Sequence, residues 1–396
     1  AVNYTVGGTA QFDGSSPDCK LSLQSGIQGS TSGQQRSIII PAGASVASVS
    51  LTPNSDQNFE DNETVKLSLV SGDQYDLGSA REAVVTIAND ERLRRVKDIR
   101  VGPGSSNPSD LKAVDFKLFF AADDGKTGTE LWRTDGTEAG TVLVSDLNPN
   151  EKSSAPRNVT LLNNSLIFTA DNGSAGRELF KVDVNGGDPK LVSDLRKDPQ
   201  SSLSSDPSNL YVSGRGLLFS ANDGRYGDEL FRTDGNASGT FRVRDLNAGV
   251  GDSSPNGFVD VGDRVVFFAS TPDQELWSTD GSTEGTTVRL RGTTGIQSPR
   301  NLTVAGAVAY FAATTTANGE ELWRTDGTVA GTRLVTDIAQ GADGSLPNEL
   351  TAFNSQLFFK AIDGSGDELW RSDGTPLGTK RIKDIIDGVY DAGDRK

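Results

Sequence analysis

Residues Glu130–Thr141 read ELWRTDGTEAGT, and the phrase returns as ELFKVDVNGGDP from Glu178, ELFRTDGNASGT from Glu229, ELWSTDGSTEGT from Glu275, ELWRTDGTVAGT from Glu321 and ELWRSDGTPLGT from Glu368. The opening glutamates fall 46–51 residues apart. Recurrence on that scale says how a chain buries its core: each copy is a small supersecondary unit that must stack on its neighbours.

In a strand, Glu130, Trp132 and Thr134 share one face while Leu131, Arg133 and Asp135 share the other. Trp132, Trp277, Trp323 and Trp370, with Phe180 and Phe231 in the same slot, are expected to pack between neighbouring repeats. The Asp-Gly pairs at Asp135, Asp234, Asp280, Asp326 and Asp373 are tight-turn chemistry, because glycine takes positive φ without steric cost. The glutamates are candidates for a ring of ion pairs with Arg133, Lys181, Arg232, Arg324 and Arg371 of neighbouring repeats. The second copy, with KVDVNGGDP in place of the turn, predicts a different hairpin. Between Asn301 and Ile338 four strands stand out as NLTVAG, AVAYFAAT, EELWRTDG and TRLVTDI. Four short strands per repeat make a propeller blade, and six blades closing into a ring leave no open sheet edge. Val96–Ile99 (VKDI) and Arg381–Ile385 (RIKDI) both look like the strand that ends a blade, so one of them is surplus.

Composition removes whole classes of chemistry. The chain has no histidine, no methionine and one cysteine, so neither a Ser-His-Asp triad nor a histidine-ligated zinc site can be drawn from its residues. Without Met it carries no initiator, which predicts a processed product or a piece of something longer. Cys19 alone makes no internal disulfide and reads as a small inert side chain. A net charge of −16 argues against nucleic acid as a partner, since tracking phosphates needs a basic surface. No apolar run is long enough for a membrane span.

The first 91 residues lack the repeat. VNYTV, RSIII, SVASVSL, TVKLSLV and EAVVTI are strand-like runs between turn signals, which predicts a β-sandwich. The expected organisation is all-β: a sandwich over 1–91, a linker over 92–95, a six-bladed β-propeller with four-stranded blades over 96–385 and a tail over 386–396. Asp-Asn-Gly segments before each repeated glutamate, such as Ala122–Glu130, resemble oxygen-ligand loops for calcium but are equally hairpin tips.

The first region resembles part of a Calx-beta domain, an immunoglobulin-like sandwich, through Val2–Ala10, Ile38–Leu51, Asp56–Leu69 and Tyr75–Glu91. That resemblance implies calcium ligands at Asp56, Glu60, Asp61, Asp90 and Glu91, with Glu63 adjacent. Clustered carboxylates repel one another unless a cation or protonation relieves them. Asn89 departs from the family pattern, as does the absence of its first two strands. That absence predicts an unpaired edge and self-association, or a neighbouring chain supplying the missing strands. The later units resemble the ELWxTDGTxxGT repeats of large secreted bacterial proteins, which implies a propeller-like, surface-exposed and seldom enzymatic protein. The functional expectation is therefore a non-catalytic bacterial extracellular or cell-surface scaffold or adhesin. It would be calcium-stabilised, assembling into a filament or layer through strand addition, with a surface glycan as a further candidate ligand. The alternative is a carbohydrate-binding or carbohydrate-acting propeller, a lyase or glycosidase using carboxylates alone.

Overall fold

A computed structural model of the chain describes residues 2–8, 19–23, 28–30, 36–40, 46–53, 63–73, 75–77, 79–87, 95–149, 151–197, 203–282, 287–291, 295–364 and 366–383. The chain divides into two compact regions, Ala1–Arg95 and Val96–Lys396. Both are built from strands, and the one helical element among the described residues is a 3-10 turn at Ala237–Gly239.

The N-terminal region has strands β1 (Val2–Gly8), β2 (Cys19–Leu23), β3 (Gln28–Ser30), β4 (Arg36–Ile39), β5 (Val49–Pro53), β6 (Glu63–Val70) and β7 (Glu82–Ile87). Five of them form an antiparallel sheet in the order β3-β4-β1-β6-β7, and β2 pairs with β5. VNYTV is thus an interior strand, joined to β4 through Val2↔Ile38 and to β6 through Thr5↔Ser68. Cys19 and Val65 are buried together, with Val6 and Leu51 packed against them. The buried Cys19 thiol acts there as a small apolar side chain. Edge strand β7 is exposed from Glu82 to Thr86, Val84 and Val85 included. Asp56, Glu60, Asp61, Asp90 and Glu91 lie outside the described residues.

The C-terminal region contains six four-stranded antiparallel sheets, each made of four strands consecutive in sequence. Repeat 1 consists of β8 (Ser109–Val114), β9 (Lys117–Asp123), β10 (Thr129–Thr134) and β11 (Val142–Ser145). The first strands of repeats 2 to 6 are Arg157–Leu162, Ser208–Ser213, Asn256–Val261, Gln297–Ala305 and Asn348–Phe353. Their third strands, which carry the repeated motif, are Arg177–Asp183, Asp228–Thr233, Gln274–Thr279, Gly319–Thr325 and Gly366–Ser372. First strand lies beside first strand from each repeat to the next. A succession of four-stranded meanders stacked this way is a β-propeller architecture.

Strand alternation gives every sheet a forward and a backward face. Between repeats 1 and 2, Val114, Phe119 and Leu131 of the forward face meet Leu166, Phe168, Ala170 and Phe180 of the backward face. The next joint brings Leu162, Ile167 and Leu179 against Phe219, Ala221 and Phe231. Three further joints repeat the formula with Trp277, Trp323 and Trp370 in the aromatic slot. The expectation that these aromatics pack between repeats holds for Phe180, Phe231, Trp277, Trp323 and Trp370, whereas Trp132 packs on Ile99.

At the first three joints a polar contact accompanies the apolar one. The cation of the motif reaches over to the turn of the next repeat: Arg133 Nη1 donates to Asn185 O, Lys181 Nζ to Gly235 O at 2.8 Å and Arg232 Nη1 to Gly281 O at 3.2 Å. Repeat 4 has Ser278 in that position, and Arg264 lies against the next turn at Gly327 instead, its Nε donating to Ser278 Oγ of its own repeat at 2.5 Å. The turn glycines Gly136, Gly235, Gly281, Gly327 and Gly374 have φ of 75–90°, as Asp-Gly turns require. Repeat 2 departs as expected, with Gly186 and Gly187 both at positive φ.

Val96–Ile99 is not a strand, which corrects the expectation. Repeat 6 is completed by its own fourth strand, Lys380–Lys383, so that edge is already paired. Ile99 instead packs on Phe120, Ala122 and Trp132 of repeat 1.

Because Phe219 is fully buried in the joint between repeats 2 and 3, Phe219→Ala should destabilise the C-terminal region by about 3–5 kcal/mol. Denaturant unfolding of the full chain measures this.

Candidate binding face on the first strands

Each repeat opens with a Pro-x-polar triplet, except that one carries glycine: Pro108-Ser109-Asp110, Pro156-Arg157-Asn158, Pro207-Ser208-Asn209, Pro255-Asn256-Gly257, Pro299-Arg300-Asn301 and Pro347-Asn348-Glu349. At these triplets the register against the second strand slips by one residue, as between the pairs Ser109↔Ala121 and Lys112↔Phe119. The other five repeats slip at the same place. The extra residue is a β-bulge, a device that re-aims a side chain. Asp110, Asn158, Asn209, Gly257, Asn301 and Glu349 take left-handed backbone with φ of 51–65°. Asn and Asp tolerate that conformation better than other side chains, and Gly takes it freely. All six residues are exposed. Sequence reasoning missed them, although the triplet is visible six times, because the louder Asp-Gly turns accounted for the repeat.

The bulges are tied across three of the five joints. Asn158 N donates to Asp110 Oδ1 at 3.1 Å, Asn209 Nδ2 to Pro255 O at 3.0 Å and Asn301 Nδ2 to Asn348 Oδ1 at 3.2 Å. Between repeats 3 and 4, Tyr211 Oη donates to Asp260 Oδ2 at 3.0 Å. Burial, and then Asp260, push the Tyr211 phenol up to about 12. The result is a row of amides and carboxylates on fixed backbone, suited to hydrogen bonding with a polar ligand.

The repeated glutamates position this row. Glu130 accepts from Ser154 N at 2.8 Å, from Ser154 Oγ at 2.6 Å and from Leu147 N at 3.1 Å. Ser154 stands two residues before Pro156, so the buried carboxylate holds the entry to the next bulge. Glu178 with Ser205, Glu229 with Ser253 and Glu321 with Ser345 do the same. The expected ring of ion pairs is thereby corrected. The motif cations serve the neighbouring turns on the opposite strand face, and hydroxyl and amide donors satisfy the acids without desolvating a second charge. Repeat 4 is the exception. Gln297 replaces the serine, and Glu275 pairs with Arg289 and, at 2.8 Å, with Arg291.

The Asp-Gly loops are turns. Asp124 Oδ1 accepts from Lys126 N and Thr127 N, both at 2.8 Å. Asn172 accepts equivalently from Ser174 N and Ala175 N. An uncharged amide does the same work, so an acceptor is needed there and a charge is not. Among the described residues no group of three or more Cys, Asp or Glu is placed to hold a metal ion.

No family model matches the chain, and no curated protein matches it. Similar solved structures include a prolyl endopeptidase (13% identity, TM-score 0.40, covering 81% of this chain and 47% of that one). An acylaminoacyl peptidase from Pyrococcus horikoshii is 12% identical, with TM-score 0.33, covering 82% and 48%. The β-propeller domain of the Trilobed protease from Pyrococcus furiosus, described as having an open velcro topology, is 11% identical, with TM-score 0.34, covering 83% and 98%. The chain thus spans about half the length of the two whole peptidases. The expectation of a non-catalytic scaffold or adhesin is corrected at this point: the similar solved structures named here come from peptidases.

Glu178 and Glu229 are each pushed up to about 7, by burial against the pull of their hydrogen bonds. Between the ordinary carboxyl value of 4.5 and about 7 the folded chain therefore holds protons that the unfolded chain has released. Stability from these groups is complete below 4.5 and declines as pH rises through about 7. The thermal midpoint should fall between mildly acidic and neutral pH, and Glu178→Gln should flatten that slope. Scanning calorimetry across the window reads both.

Proposed function

We propose that the C-terminal region is a six-bladed β-propeller acting as the substrate-binding part of a hydrolase, and that its substrate is an extended peptide held along the bulges. The observation that carries this reading is the exposed residue in left-handed backbone on each first strand. Side-chain amides at Asn158, Asn209 and Asn301 offer both donor and acceptor, matching peptide groups. The hydrolase setting comes from the peptidases of similar layout. With no histidine in the chain, its residues are assigned binding and positioning rather than a histidine-activated nucleophile.

The N-terminal region is read as a partial Calx-beta sandwich of an exported bacterial protein, with calcium at Asp56, Glu60, Asp61, Asp90 and Glu91. Its motifs support that reading. Calcium should raise the unfolding temperature of the full chain, and Asp90→Asn with Glu91→Gln should remove the increase.

Proline-containing peptides should bind the full chain in calorimetric titration. At roughly 1 kcal/mol per hydrogen bond, Asn158→Ala, Asn209→Ala and Asn301→Ala combined should weaken binding at least about tenfold. A folded triple variant with unchanged affinity, or no peptide binding at all, would sink the reading.

A further inference from the structure

Two positions of the repeat come together at the bulge of repeat 5. Arg300, the middle residue of its Pro-x-polar triplet, forms an ion pair with Glu320, the residue before the repeated glutamate. The same positions in repeat 2 hold Arg157 and Arg177. Strand register makes them equivalent. Arg300 stands opposite Ala312 and Arg157 opposite Thr169, each facing in turn the leucine of the motif, Leu322 or Leu179. Ser109 and Thr129, Ser208 and Asp228, Asn256 and Gln274, and Asn348 and Asp367 fill the two positions elsewhere, so repeat 2 alone carries a cation at both.

Arg157 is therefore a cation whose partner has been replaced by a second cation. Burial, and then the charge of Arg157, hold the Arg177 guanidinium below its usual range, against the opposite pull of Asp206 and Asp171. Arg177 is half-buried and directs Nη1 to the backbone, donating to Ala155 O at 2.9 Å and to Thr169 O at 3.4 Å. Arg157 is exposed and, among the described residues, takes part in no ion pair. Asp110, the carboxylate of the neighbouring bulge, accepts from Asn158 N instead. Neighbouring like charges raise the free energy of a site, and an anion bound beside them lowers it.

We propose that Arg157 is a carboxylate seat on the binding row, and that the peptides held there present a carboxylate to it, either a free C-terminus or an acidic side chain. This rests on the peptide reading of the row. The guanidinium offers a planar fork of N–H donors that takes both oxygens of a carboxylate. Asn158, next in sequence and also exposed, offers its amide to the adjoining peptide group. Arg177 is a positioning residue: it ties down the entry to the bulge at Ala155, and its charge favours an Arg157 guanidinium turned towards solvent and ligand. Repeat 5, with Arg300 closed by Glu320, and repeat 6, with Glu349 on its bulge, present no equivalent seat. A chain with a net charge of −16 repels anions over most of its surface. A local pair of unmatched cations is selective against that background.

Calorimetric titration of the full chain with two pairs of N-acetylated, proline-containing peptides tests the seat. One pair ends in a free carboxylate or in an amide, and the other, amidated throughout, has Glu or Gln at an interior position. A charge-assisted hydrogen bond should make the carboxylate member of one pair bind about tenfold tighter or more. The pair that shows the preference identifies the source of the carboxylate. Arg157→Gln should abolish the preference, Arg157→Lys should restore part of it, and added salt should narrow it. Equal affinities within both pairs, or a preference that survives Arg157→Gln, overturn the seat and leave the peptide reading standing. Failure of all four peptides to bind overturns both.

Discussion

A four-stranded sheet with apolar side chains on both faces cannot be satisfied by its own repeat, and the C-terminal region depends on that constraint. Each of the five joints buries the facing sides of two neighbouring repeats, mainly leucine and other aliphatic residues forward, with Phe119, Phe268 and Tyr310 among them, against phenylalanine, alanine and tryptophan backward. Fully burying one such side chain is worth roughly 1.5–3 kcal/mol. A joint that gathers six or more of them outweighs any single polar contact at its rim. The polar contacts then set register: a cation on the following turn, and a buried carboxylate on the serine that leads into the following blade.

That carboxylate is the more demanding partner. Burying an acid costs several kcal/mol unless donors meet it, so Glu130, Glu178, Glu229 and Glu321 each require the serine and the backbone amides that face them. Repeat 4 shows the same constraint from the other side. Gln297 takes the serine position there, and Arg289 and Arg291 supply the missing donors to Glu275. A second compensation in the same repeat replaces the motif cation with Arg264, so this blade keeps the joint while changing the atoms that make it.

The bulges convert a structural repeat into a surface. Left-handed backbone at a side-chain-bearing residue costs on the order of 1–3 kcal/mol, and five repeats accept it, Glu349 included. Because the bulges of repeats 2, 3, 4 and 6 each follow a proline and a serine held by the glutamate of the preceding repeat, that part of the row is set by the joints. Chemistry differs along the row, from Asp110 through the asparagines and Gly257 to Glu349. Such asymmetry is what a binding site needs and a purely structural repeat does not.

How much of this was legible beforehand depends on the range of the interaction. Strand alternation, Asp-Gly turns and the fifty-residue period are local properties, and they determined the all-β class, four strands per repeat and the aromatic joint. The partners of Glu130 and its equivalents were not legible, because a carboxylate accepts equally from arginine, serine or amide, and only packing brings Ser154 rather than a cation to it. Val96–Ile99 misled for the same reason: a strand-like sequence becomes a strand only beside a free edge, and Lys380–Lys383 had filled the edge it resembled. The sequence by itself determined the repeat, its turns and its exclusion of histidine chemistry, since these follow from residue identity and spacing. Only the tertiary structure decided which donor meets each buried acid, that the Pro-x-polar residues stand exposed on bulged first strands, and that Phe353 and Leu369 of repeat 6 stand exposed, since these depend on what stacking brings together.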